Sequence, residues 1–161
     1  MPSPQNIPVN ELLPHRPPVI LIDALLEASE TRGAAAKTFR GGDYGLCGDL
    51  VCEPALIECA AQTVAALFGY QAFSKPGTSA LGFLAGVSSF SFSRRPSAGE
   101  PLRIEVEVAR NLGPLFMVNA RVLSGAEQVA GGELKLYLQE GKQGTYGQPD
   151  KRTETTHNHQ P

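Results

Sequence analysis

The sequence predicts an α+β domain in which an antiparallel sheet wraps around one long helix. Three observations carry this. The second half of the chain alternates apolar and polar residues between turn signals, the period of a sheet with one wet face. A single stretch, residues 54–70, is instead apolar nearly all round and rich in alanine. The length of 161 residues with 42% hydrophobic residues suits one domain with a real core.

The elements follow in order. Residues 18–25 and 34–40 are expected strands, and residues 78–95 form a long run ending in the alternating Phe90-Ser91-Phe92-Ser93. Leu102, Ile104, Val106 and Val108 alternate with Arg103, Glu105 and Glu107, followed by a turn at Leu112-Gly113-Pro114. Residues 115–123 make the next strand, Ser124-Gly125-Ala126 a hairpin turn, and residues 129–138 the last strand. Strands joined by short turns pair antiparallel. Pro54 suits the first turn of the helix and Gly69 its end, while five alanines favour helix formation. One long helix inside an antiparallel sheet describes a hotdog fold, assigned to residues 1–138. Residues 139–161 contain no aliphatic side chain and are expected to form a disordered tail.

Composition narrows the function. Fourteen Lys+Arg against sixteen Asp+Glu give a net charge of −2, without the basic excess of a nucleic-acid binder. No run approaches the roughly 20 apolar residues of a membrane span. The start, Met1-Pro2-Ser3-Pro4-Gln5, lacks the pattern of a secretory signal, so a cytoplasmic protein is expected. Cys47, Cys52 and Cys59, an odd count with no C-x-x-C pair, then read as free thiols. Only His15 lies outside the tail, which also carries His157 and His159, so no metal site is expected.

The helix carries one charged residue in its interior, Glu58, with Gln62 four positions later on the same face. Glu58 is either a solvated carboxylate at a helix edge or a desolvated carboxyl held neutral as a general acid. Gln62 reads equally as a satisfied core amide or as a substrate-site group that holds the Glu58 carboxyl or a reacting water.

Three segments resemble the 3-hydroxyacyl-acyl-carrier-protein dehydratase family. Leu12-Leu13-Pro14-His15-Arg16-Pro17-Pro18 is similar to its N-terminal motif, and Glu58-Cys59-Ala60-Ala61-Gln62 to its catalytic-helix pattern. Phe92-Ser93-Arg94-Arg95-Pro96 with Gly99-Glu100-Pro101-Leu102 is similar to its third segment. Gly82-Phe83-Leu84-Ala85-Gly86 resembles the aryl-polyene branch. The resemblance implies a dimer of hotdogs, either a homodimer or a heterodimer with another hotdog subunit. It also implies a 3-hydroxyacyl substrate carried on the phosphopantetheine of acyl carrier protein or CoA, with no other cofactor. Glu58 takes the family's carboxyl role, and a backbone N–H near the helix start, from Glu53 to Leu56, polarises the thioester carbonyl.

The family's loop histidine, fourteen residues before the glutamate, is Tyr44 here. His15 is therefore either a replacement base or a structural residue of its turn, and Tyr44 a packing residue or a substrate contact. Arg94 and Arg95 read equally as receivers of an acidic carrier or pantetheine phosphate and as a solvated strand end. Three functions follow: a dehydratase, a carrier-binding subunit completed by a histidine-bearing partner, and a hotdog thioesterase.

Overall fold

The computed structural model describes residues 1–73 and 79–141. After a 3-10 turn at Pro4–Asn6 and a short helix α1 (Val9–Leu12) come β1 (Ala24–Ala28) and β2 (Arg32–Thr38). A small hairpin of β3 (Leu46–Cys47) and β4 (Leu50–Val51) leads directly into α2 (Glu53–Phe73). The chain then runs through β5 (Ser79–Phe92), β6 (Pro101–Leu112), β7 (Leu115–Ser124) and β8 (Glu127–Gly141). Six strands form one antiparallel sheet in the order β1-β2-β6-β7-β8-β5, with α2 packed on its inner face.

Alternation decides which face turns inward. On β6, Leu102, Ile104 and Val106 are buried against the helix side. Arg103, Glu105 and Glu107 face outward and pair with Glu27, Arg121 and Arg32 from neighbouring strands. The turns fall where expected, with Gly113 and Gly125 at positive φ (67° and 57°). From the helix, Leu56, Val64 and Leu67 are fully buried, each burial contributing roughly 2 kcal/mol.

Four expectations change. Residues 18–23 are not strand; the chain is irregular through a cis Pro17–Pro18 peptide, and β1 begins at Ala24. The backbone of this stretch finds its partners on α2. Leu21 N–H donates to Gln62 Oε1, Gln62 Nε2 donates to Val19 O, and the Cys59 thiol donates to Leu21 O. Side chains from the helix thus satisfy what a neighbouring strand would have bonded. Secondly, Gly69 does not end α2, which continues to Phe73. Gly69 is there because the Leu12 backbone crosses the helix so closely that a Cβ would collide with its carbonyl.

Thirdly, Cys47 and Cys52 are joined as a disulfide, leaving Cys59 as the one free, buried thiol. The tight β3–β4 turn, with Gly48 at φ 68°, brings their Cα atoms to 5.6 Å. Finally, β8 runs on to Gly141, into the segment read as tail; residues 142–161 lie outside the described residues.

Candidate functional site

The segment that carries His15 is built to hold still. Leu12 and Leu13 are buried in the core. The Arg16 guanidinium folds back and donates to the carbonyl oxygens of Leu13 and His15 (3.1 and 2.7 Å), with a longer reach to Asn10 O. Pro14, Pro17 and Pro18 restrict the chain on both sides. The result places His15 Nε2 3.6 Å from Glu58 Oε1, across the gap between this loop and α2. His15 Nδ1 is buried and has no hydrogen-bond partner among the described residues.

Gln62 organises the other side of Glu58. It is fully buried, and its amide donates to Glu58 Oε1 and to Val19 O while its oxygen accepts the Leu21 N–H, each at 2.8 Å. Three of its four hydrogen-bonding positions are thereby used. Gln62 is thus a satisfied core amide that also holds the Glu58 carboxyl. The expected desolvation of Glu58 is not present in the single chain: its side chain is 39% exposed, and that of His15 33%.

Glu58 lines a groove of about 740 Å³. Val19 and Leu21 border it from the N-terminal segment, residues 43–46 from the loop before α2, and Pro54 and Ala55 from the helix start. Tyr44 stands in this lining and is 61% exposed. His15 is not itself part of the lining and stands beside Glu58, with a third of its side chain exposed. Leu56 is buried in the core, so only its backbone lies near the helix start. There Pro54 has no N–H and that of Ala55 already donates to Cys52 O, leaving Glu53 as the first-turn donor. The disulfide borders the same groove through Cys52. Cys59, by contrast, is enclosed, and burial pushes its thiol pKa well above the ordinary range.

The two arginines are engaged elsewhere. Arg94 makes paired contacts with Glu100 and Glu127, and these raise its pKa further. Arg94 first, then Ser124 and the Ser97 N–H, hold the Glu100 carboxyl at about 2. Arg95 donates to the Val51 and Leu50 carbonyls, tying β4 to the loop before β6. Among the described residues no cluster of His, Cys, Asp or Glu is arranged to hold a metal, and no helix is long and apolar enough to cross a membrane.

Sequence reasoning brought His15, Glu58 and Gln62 to notice without showing that they meet. It missed Lys37, a buried lysine 3.2 Å from both Asp23 and Asp43. The available signal was its register on β2, in step with Gly33 and Ala35 on the inward face.

Comparison with known proteins bears on the family and the fold. The dehydratase FabZ of Staphylococcus saprophyticus, a 3-hydroxyacyl-[acyl-carrier-protein] dehydratase, is 29% identical over 137 residues, covering 81% of this chain and 92% of that protein. FabZ of Exiguobacterium sibiricum is 28% identical over 136 residues, 78% and 92% of the two chains. Among solved structures, the dehydratase heterocomplex ApeI:P from Xenorhabdus doucetiae superposes with a TM-score of 0.76 at 19% identity, covering 90% and 93%. The E. coli PaaI protein follows at 0.58 and 15% identity, over 70% and 80%. The fold is the α+β hotdog. With the family model for ApeP dehydratase matching residues 7–146, the chain belongs to the ApeP-like family of hotdog 3-hydroxyacyl dehydratase-like proteins.

Proposed function

We propose that the protein dehydrates 3-hydroxyacyl thioesters, with His15 and Glu58 of the same chain as its acid–base pair. The observation that carries this is the 3.6 Å separation of His15 Nε2 and Glu58 Oε1 beside the groove. His15 is the only histidine outside the tail, so it is the available imidazole in place of the one Tyr44 displaces. In the proposed reaction neutral His15 takes the C2 proton while Glu58 gives its proton to the C3 hydroxyl. The C3–O bond breaks, water departs and the 2,3-double bond forms in conjugation with the thioester. The proton on His15 then returns to Glu58 across the short gap between them, restoring both groups. A first-turn N–H of α2 stabilises the charge that develops on the thioester oxygen. The acyl group is proposed to arrive on acyl carrier protein or CoA, in the cytoplasm.

The test is turnover of 3-hydroxyoctanoyl-CoA and the corresponding acyl-carrier-protein thioester, followed by the absorbance of the enoyl product. Glu58→Gln is expected to cost about 10²–10⁴ in rate while the melting temperature holds, because the amide keeps the shape and loses the proton. Lost stability with unchanged turnover would instead make Glu58 structural. Release of free thiol without enoyl product would point to hydrolysis.

A second reading is favoured by the sheet edge. Strand β5 is a long outer strand, with Phe83, Leu84 and Val87 exposed on it. Such an edge invites pairing with another sheet. A second hotdog chain, identical or different, is proposed to pair there. If the isolated protein is inactive but becomes active with a histidine-bearing hotdog partner, this chain is the subunit that partner completes.

A further inference from the structure

We infer that Lys37 is a positioning residue that holds together two segments bordering the groove, an inference that rests on the dehydratase reading for its kinetic consequence. Lys37 is the one charged side chain among the buried described residues, 6% exposed on the inward face of β2. Its ammonium donates to Asp23 Oδ1 and to Asp43 Oδ2, both at 3.2 Å, and lies 4.8 Å from the centre of the Phe39 ring. The two carboxylates belong to the two segments that border the groove. Asp23 closes the segment that supplies Val19 and Leu21, and Asp43 opens the loop that supplies Tyr44 and Leu46. Each carboxylate is also fixed to backbone: Asp23 accepts the Thr38 N–H and Asp43 the Arg40 N–H. One buried cation thus sets the spacing of two segments that border the groove.

The ionisable groups facing this ammonium are few. Besides Asp23 and Asp43, Arg40 Nη1 stands 4.0 Å from Asp23, and α2 contributes the buried thiol of Cys59, which stays protonated. From β6 the residue opposite Lys37 is apolar Leu102. Without the ammonium, two carboxylates face one another and are pushed apart whenever both are charged. Protonating one relieves that repulsion.

The experiment compares wild type, Lys37→Met, Lys37→Arg and Lys37→Met/Asp43→Asn between pH 5 and pH 8. Turnover of 3-hydroxyoctanoyl-CoA is measured together with amide exchange at Thr38 and Arg40. Relative to wild type, Lys37→Met is expected to lose about tenfold in kcat/KM at pH 8 and to regain most of it toward pH 5. Lys37→Arg keeps the charge and should stay within about threefold, and the double variant should recover at pH 8. A loss that is equal at all pH values, or that Asp43→Asn leaves uncorrected, overturns the proposal. So does a double variant that fails to fold, since Lys37 would then be needed for packing and not for charge. If wild type turns over no thioester, the dehydratase reading fails, and exchange decides the clamp alone. Faster exchange at both amides in Lys37→Met, largest at pH 8, sustains it, and unchanged exchange overturns it.

Discussion

Two charged regions of this protein are built on opposite plans. At the Arg94 corner every charge is answered. Arg94 pairs with Glu100 and Glu127, while Glu100 also accepts from Ser124 and the Ser97 N–H. Beside the groove the partnering is incomplete. His15 and Glu58 approach only to 3.6 Å, His15 Nδ1 has no partner among the described residues, and the pair is held from behind by Gln62 on one side and Arg16 on the other. A saturated network stabilises and has nothing left to offer a substrate. An open pair, held from behind, keeps the capacity to exchange a proton. Both regions look equally functional as a row of charged letters, and the geometry separates them.

The largest effect should come from taking the open pair apart. His15→Asn and Glu58→Gln are each expected to lower kcat by about 10²–10⁴, and the double variant to lose little more than the worse single one. Multiplying losses would mean the two residues act independently, which would break the view of them as one unit. Melting temperatures within about 2 °C of wild type should accompany all three. An amide at position 58 can still accept the Gln62 bond, and the His15 side chain makes no hydrogen bond through Nδ1 among the described residues.

Smaller effects should follow from the groove region's covalent staple. Titration of the oxidised, denatured protein should find one thiol, from Cys59, and reduction should raise this to three. Cys47→Ser is expected to cost about 2 kcal/mol, the value for closing so short a loop. Three thiols without reductant would return Cys47 and Cys52 to the free state expected from composition.

The Arg94 corner should respond in stability alone. Glu100→Gln is expected to cost about 1–2 kcal/mol at neutral pH with turnover within threefold. Its pH dependence has a definite sign. Folding lowers the Glu100 pKa from 4.5 to about 2, so its contribution is complete above pH 4.5 and disappears as pH falls toward 2. Wild type should therefore lose stability across that window and Glu100→Gln lose less. A large fall in turnover for Glu100→Gln would mean that this corner also serves the substrate.

What could be read from the sequence was whatever is encoded locally. The alternation of Leu102, Ile104 and Val106 with Arg103, Glu105 and Glu107 assigns both faces of β6, because neighbouring residues on a strand always face apart. Glu58 and Gln62 share a helix face by the same kind of arithmetic. Residues 18–23 read as strand because their apolar letters fit one, yet their hydrogen bonds end on Cys59 and Gln62, far along the chain. No local pattern contains that information. Glu58 stood out as the one charge on an apolar helix and His15 through the resemblance, and only the crossing of the N-terminal segment over α2 brings them together. Cys47 and Cys52 were read through their expected compartment, although the Gly48 turn between them already favoured proximity. Lys37 was legible in principle, as a cation falling in step with an inward row of small residues.

The double engagement of Glu58 Oε1 has a consequence for handedness. Gln62 donates to that oxygen and His15 stands nearest to it, while Oε2 has no partner among the described residues. A proton passed to a leaving hydroxyl would thus depart from one oxygen, along one direction, in a carboxyl that cannot turn without breaking its bond to Gln62. For a thioester anchored at the helix start, only one of the two mirror arrangements at C3 presents its hydroxyl to that oxygen. The buried amide, set outside the lining of the groove, would make the reaction stereospecific.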